Sequence, residues 1–265
     1  MNNTMPNTLY LSRLFLNPYS RQVFSELPHP YEMHRTLMRA FPDVKGKNTS
    51  NAREKHKVLF RVEPHVENGH VKVYVQSCYE PDWTTLETFK DYLCPDIGIA
   101  AYECKNVMPI YQNIKNGQIV SFRLRANPTK RIAKLSDEMR GKRVELQKEE
   151  EQISWLIRKG QGLGKENHGG FELLMRETVN SDGAKVLIPK MNVSHEGKCI
   201  NRKKAGHTGG YVTTHMAVLY EGLIRVIDKN NFLKTLINGI GPGKAFGFGL
   251  LTIAPSHFME SDDFK

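Results

Sequence analysis

The order in which strand-like and helix-like runs alternate over the first 127 residues constrains the fold more than any other property of this chain. Residues 9–16, Leu-Tyr-Leu-Ser-Arg-Leu-Phe-Leu, read as a buried strand that Asn17-Pro18 closes. A helix follows within residues 27–42: Pro30 suits its first position, Glu32 its positive end, and Phe41-Pro42 its stop. Met33, Leu37, Met38 and Phe41 form the apolar stripe. Strands at 57–63 and 71–78 read as a hairpin turning at Asn68-Gly69, and a short helix is expected over 84–92. After a less regular stretch, residues 118–127 alternate cleanly and read as a fourth strand. The order β-α-β-β-α-β is the ferredoxin-like pattern.

The same elements recur in the second half. A helix over 148–159 leads to strands near 171–179 and 211–220, a helix over 229–238 and a last strand over 249–254, with one further short strand near 131–135 or 143–146. The fold expected is therefore α+β, two tandem ferredoxin-like (RRM/RAMP-like) βαββαβ domains over residues 1–128 and 129–265. Residues 194–210, polar, glycine-rich and basic, read as a mobile loop that orders on a ligand.

Charge narrows the partner. The chain carries 38 Lys and Arg against 28 Asp and Glu, a net charge of +10, which suits an acidic partner and nucleic acid first among them. No run is long and apolar enough for a membrane span, and no basic-then-apolar signal opens the chain. Its four cysteines have neither zinc-ribbon spacing nor the density of a disulfide scaffold, so a cytoplasmic setting is expected.

Three constellations could carry chemistry. Five glycines, at 239, 241, 243, 247 and 249, surround Lys244. Such a run can turn its N–H groups toward phosphates, though its spacing is neither that of a Walker loop nor that of a dinucleotide fold, and a purely structural turn stays open. Arg123 and Arg125 share one face of the strand over 118–127, either as a solvated face or as a basic strip against phosphates. The second reading gains from Lys130, Arg131, Lys134, Lys142 and Arg143 directly after it, since a phosphate-rich ligand needs clustered cations. Tyr31 and His34, three residues apart, fall on one helix face, and we expect both in its first turn, where the helix field favours an anion and a neutral imidazole. A neutral base beside an anion site is what metal-free RNA cleavage needs. By letters alone His29 competes with His34, and a histidine packed in a helix start is a third reading. No histidines have metal-ligand spacing, so neither metal nor cofactor is expected.

Taken together, Asn17-Pro-x-Ser-Arg21, His29-Pro-Tyr-Glu-Met-His-Arg35, Glu80-Pro-Asp-Trp83, Phe122-Arg-Leu-Arg-Ala-Asn-Pro128 with Lys130, Trp155-Leu156 and Gly239-Ile-Gly-Pro-Gly-Lys244 resemble the CasE (Cse3) family of CRISPR RNA-processing endoribonucleases. The resemblance runs in order from about residue 9 to residue 255. It implies two tandem ferredoxin-like domains, binding of the repeat RNA hairpin, and metal-free cleavage at the 3′ base of the stem. The products would be a 2′,3′-cyclic or 3′ phosphate and a 5′-hydroxyl. It also implies retention of the product as a subunit of the type I-E Cascade complex, with the other Cascade proteins as partners. It places catalysis on His34 with Tyr31 beside it, rather than on His29. RNA contacts are then expected from Arg35, Arg123, Arg125, Lys130, Arg131, Lys142, Arg143, Gly241, Gly243 and Lys244. Arg202, Lys203 and Lys204 join them from the 194–210 segment.

Overall fold

The computed structural model describes residues 5–42, 55–67, 70–94, 100–132, 143–163, 168–203 and 211–256. The expected turn at Asn68-Gly69, together with Lys134, Lys142 and Lys204, lies outside the described residues. In the first half the elements are β1 (Tyr10–Leu16), α1 (Arg21–Glu26), α2 (Pro30–Leu37), β2 (Leu59–Glu67), β3 (His70–Ser77), β4 (Tyr102–Asn106) and α3 (Met108–Gln112). The second half holds β5 (Ile119–Ala126), β6 (Thr129–Arg131), β7 (Arg143–Glu145), α4 (Glu149–Gly160), β8 (Phe171–Leu173), β9 (Met175–Val179), β10 (Lys185–Pro189), β11 (Met191–Lys203), β12 (Tyr211–Val226), α5 (Lys229–Asn238) and β13 (Leu251–Pro255).

The first sheet runs β2-β3-β1-β4, every neighbour antiparallel, which is the ferredoxin-like strand order. Its core gathers Leu14 and Leu16 of β1, Val71, Val73 and Val75 of β3, Met33 and Leu37 of α2, and Trp83. The second sheet runs β11-β12-β5-β13, also antiparallel, with β8 pairing the same edge of β12 as β11. Its second ferredoxin strand is thus split into β8 and β11, with the β9–β10 hairpin inserted between them. Trp155 and Leu156 of α4 and Phe232, Leu233, Leu236 and Ile237 of α5 cover this sheet and fill a separate core.

Two tandem ferredoxin-like units are therefore present, but their strands divide differently from the reading of the sequence. The run over 118–127 forms β5 and pairs with β12 and β13, so it is a central strand of the second sheet, not the fourth strand of the first. That fourth strand is β4, in the less regular stretch; among the described residues it pairs with β1 alone, and Cys104, Lys105 and Asn106 are exposed, so no alternation marks it. The change of sheet falls between Asn106 and Ile119, not at residue 128. The helix expected over 84–92 is a 3-10 turn at Trp83–Thr88, capped by Asp82, which accepts from the Thr84 N–H. Residues 194–203, expected to belong to a mobile loop, instead lie in β11, which pairs with β12 as far as Lys203↔Tyr211. The short strand expected near 131–135 or 143–146 is instead a pair, β6 and β7.

The interface between the units holds a buried polar network beside its apolar contacts. Arg61 of β2, 3% exposed, donates through Nε to Glu63 Oε1 at 2.9 Å and through Nη1 to the carbonyls of Arg123 at 3.1 Å and Leu250 at 3.3 Å. Gln76 of β3 donates to the Leu236 carbonyl at the end of α5, 2.8 Å away. Hydrogen bonds of this kind fix one docking geometry, because breaking one would leave a buried donor unpaired.

Candidate active site

Helix α2 buries Pro30, Met33, Thr36 and Leu37 and turns its opposite face toward the second unit. Glu26 holds it there: its buried carboxylate accepts from Thr36 Oγ1 at 2.6 Å, Gln22 Nε2 at 2.9 Å and Tyr92 Oη at 2.7 Å. On the outward face the Tyr31 and His34 rings stack, with centroids 6.1 Å apart and planes 15° from parallel. His29 stands outside the helix at the N-cap, exposed and making no side-chain capping bond. One expectation fails here. In an eight-residue helix His34 is the fifth residue, so it lies in the half whose field favours positive charge; only Tyr31 is in the first turn.

The glycine run meets this face. Lys244–Phe246 forms a 3-10 turn between left-handed Gly243 and Gly247, and the turn packs against α2 and β2. Phe246 lies 5.7 Å from Tyr31 on one side and 4.6 Å from His215 on the other. A Cβ at Gly241 would come 2.9 Å from Trp155 Cζ2, and one at Gly243 2.9 Å from Phe248 Cδ2, both at positive φ. Glycine at 241 and 243 is therefore explained by packing and backbone, while Lys244 carries the charge of the turn.

The structure does not give Arg123 and Arg125 the open basic strip that their alternation suggests. They share a face, but on it both meet protein carboxylates, and Arg123 reaches across to the first unit. Arg123 ion-pairs with Glu63 at 3.0 Å and Glu221 at 3.1 Å. Arg125 is paired with Glu196, donates to Cys199 Sγ at 3.3 Å and lies 4.8 Å over the Phe248 ring. Both charges are met by protein, a pattern that residue spacing on one strand cannot reveal.

The other cations are better placed for an acidic ligand. Arg131 and Arg143 stand directly opposite each other on β6 and β7, both exposed. Like charges in register repel, and an anion between them removes the penalty. Lys130 bonds Glu151 at 2.8 Å on the surface, and Arg35 bonds Glu32 at 2.9 Å with most of its side chain exposed. Residues 197–203 of β11 and 211–217 of β12 pair with each other beyond the end of β5, whose last partner is Val218. Arg202 and Lys203 lie on this projecting ribbon.

Two histidines escaped the sequence reading because their neighbours come from distant segments. His215, on β12, touches Phe246 and Phe248, and burial pushes its pKa below the usual value against the opposing pull of Glu145. His168 is lowered by burial first and then by Lys234, Lys244 and Lys57, which adds Lys57 and Lys234 to the positive surroundings of the glycine run. Among the described residues no group of three or more His, Cys, Asp or Glu is arranged to hold a metal ion, and no helix is long and apolar enough to cross a membrane.

A family model described as CRISPR associated protein matches residues 9–255. The CRISPR-associated endoribonuclease Cse3 of Thermus thermophilus is 37% identical over 93% of this chain and 100% of its own length. The Cascade subunit CasE of Escherichia coli K12 is 28% identical over 93% of this chain and 100% of its own length. A structure of CRISPR endoribonuclease Cse3 bound to a 19-nucleotide RNA superposes with a TM-score of 0.69 at 35% identity, covering 94% of this chain and 100% of that one. On these matches, and with the two ferredoxin-like units in the same order, the chain belongs to the CasE (Cse3) family of CRISPR-associated proteins.

Proposed function

We propose that this chain is an endoribonuclease that binds the hairpin of a CRISPR repeat RNA, cuts it at the 3′ base of the stem without a metal, and keeps the product as a Cascade subunit. The observation that carries the reading is the stacked Tyr31–His34 pair, pressed by Phe246 against the cationic glycine turn. The endoribonuclease Cse3 and the Cascade subunit CasE, each matched over its full length, support it.

In the reaction His34 takes the proton of the 2′-hydroxyl, and the freed oxygen attacks the adjacent phosphorus in line. The bond from phosphorus to the 5′ oxygen breaks, that oxygen gains a proton, and a 2′,3′-cyclic phosphate and a 5′-hydroxyl result. Tyr31 and Lys244 stabilise the charge that builds on the phosphorane. Arg35, Lys130, Arg131 and Arg143 neutralise backbone phosphates, with Lys142 beside them in sequence. Arg202, Lys203 and Lys204 are further RNA contacts that the family resemblance implies. The four cysteines are free, which suits work in the reducing cytoplasm.

His34→Ala tests the assignment. Single-turnover cleavage of the repeat stem-loop should fall by at least about a hundredfold, the usual scale for losing a general base. Stem affinity should change little, because phosphate neutralisation lies elsewhere. Cleavage at the wild-type rate would remove His34 from the reaction.

A further inference from the structure

Four segments far apart in the chain bring basic side chains together beside the glycine run. Backbone contacts fix the junctions. Thr235 Oγ1 of α5 donates to the Gly169 carbonyl at 2.8 Å, and Gly170 packs on the Phe232 nitrogen with no room for a Cβ. His168 therefore stands against α5, beside Lys234. Gly239, just past the end of α5, packs on the start of β2, where a Cβ would come 2.8 Å from Leu59 Cδ1; Lys57 lies two residues before Leu59. The Lys244–Phe246 turn packs on β2 as well. Lys57 is exposed, and His168, Lys234 and Lys244 are half-buried. Their charges reach one another: His168 is held below its usual pKa by burial first, then by Lys234, Lys244 and Lys57.

No acid answers Lys57 or Lys234. Among the described residues neither is in an ion pair, whereas Arg61, Arg123, Arg125 and Lys130 each meet a carboxylate. Lys57 also holds φ at 53°, in the left-handed region where glycine rests without strain, so the bend before β2 carries a charge against the backbone's preference. Like charges gathered in this way repel in the free protein, and an anion among them removes the penalty. Lysine donates and never accepts, so the cluster selects a negatively charged group that offers acceptors alone, which is a phosphate. Its place relative to the reaction follows from Lys244, whose turn carries Phe246 to within 5.7 Å of Tyr31.

We propose that Lys57, His168 and Lys234, with Lys244 at the edge toward Tyr31, form a subsite for one backbone phosphate of the RNA strand flanking the cut. The subsite rests on the ribonuclease reading and adds to it a grip on the strand. A phosphate held beside the turn positions the neighbouring linkage at Tyr31 and His34.

The test is a cycle between protein and RNA. The repeat stem-loop carries 2′-deoxyribose at the nucleotide before the cut, and each linkage flanking the cut is replaced in turn by an uncharged methylphosphonate. Affinity for each RNA is measured with the full chain and with the double variant Lys57→Gln, Lys234→Gln, whose melting temperature verifies that it is folded. At one linkage the methylphosphonate should weaken wild-type binding about tenfold, the scale of one lost charge-assisted hydrogen bond, and weaken the variant no further than it is weakened already. With the unmodified RNA the variant should lower the slope of log affinity against log salt by about 0.7, one single-strand phosphate contact. Independent, multiplying losses at every linkage would show that the lysines act only through the general field of the protein and would overturn the subsite. Failure of the wild type to cut any all-ribose repeat stem-loop would refute the ribonuclease reading itself.

Discussion

Arg61 carries the docking of the two units, and its replacement by methionine, which keeps the length of the stem, isolates that contribution. The change removes the bond to Glu63 at 2.9 Å and the donors to the Arg123 and Leu250 carbonyls at 3.1 Å and 3.3 Å. Glu63, whose side chain is 9% exposed, keeps one partner, Arg123 at 3.0 Å. Breaking a buried pair outright costs about 3–5 kcal/mol, and the surviving ion pair places Arg61→Met toward the lower end, about 3 kcal/mol. At roughly 2–4 °C per kcal/mol for a chain of this size, the melting temperature should fall by about 6–12 °C. Arg123→Met is the control: that side chain is 35% exposed, so solvent screens its ion pairs, and the loss should stay near about 1 kcal/mol. Thermal unfolding followed by circular dichroism measures both, with binding of the repeat stem-loop at 20–25 °C expected to survive in each because both guanidiniums are met by protein groups. A melting temperature for Arg61→Met within about 1 °C of wild type would refute the claim that this buried network holds the units together.

Two further outcomes follow from the charges. His215 and His168 both have pKa values below the usual 6.5, burial being the first cause in each. The unfolded chain therefore binds protons first as pH falls below 6.5, and stability, complete above that value, should decline toward the folded values; His215→Phe should flatten the decline in a pH series of melting curves. Arg131→Ala and Arg143→Ala should each weaken repeat RNA binding uniformly across stem sequences and lower the slope of log affinity against log salt by about 0.7–0.9, as one lost phosphate contact does. An unchanged slope in a salt titration would return the pair to the surface of the free protein.

What the sequence discloses and what it withholds divide along the range of the interactions. Met33 and Leu37 repeat at helical spacing, and Pro30 fixes where α2 begins, so the helix and its buried face are local properties read directly. The alternation over 118–127 identifies a strand with equal clarity but is silent on its partners. Only long-range pairing with β12 and β13 places β5 in the second sheet rather than the first. Edge strand β4 has half-buried Tyr102 and Glu103 and exposed Cys104, Lys105 and Asn106, so its period-two signal is absent. At the site, the spacing of Tyr31 and His34 puts them on one helix face, where the structure stacks their rings, and the resemblance singles out the same pair. The acidic partners of Arg123 and Arg125, by contrast, come from β2, β11 and β12, and no window of sequence around an arginine contains them. His215 escaped for the same reason: its neighbours Asn127, Phe246 and Phe248 lie far from it in the chain.

The central claim is that a 2′-hydroxyl, deprotonated by the chain's own side chains, makes the cut. It is tested most directly with the repeat stem-loop RNA in EDTA, beside an otherwise identical RNA carrying 2′-deoxyribose at the nucleotide before the cut. The account predicts cleavage of the first RNA to a 2′,3′-cyclic phosphate or its 3′-phosphate, and tight binding of the second without cleavage. Cleavage of the deoxy RNA at the same bond, or cleavage of the first only when magnesium is restored, would contradict it.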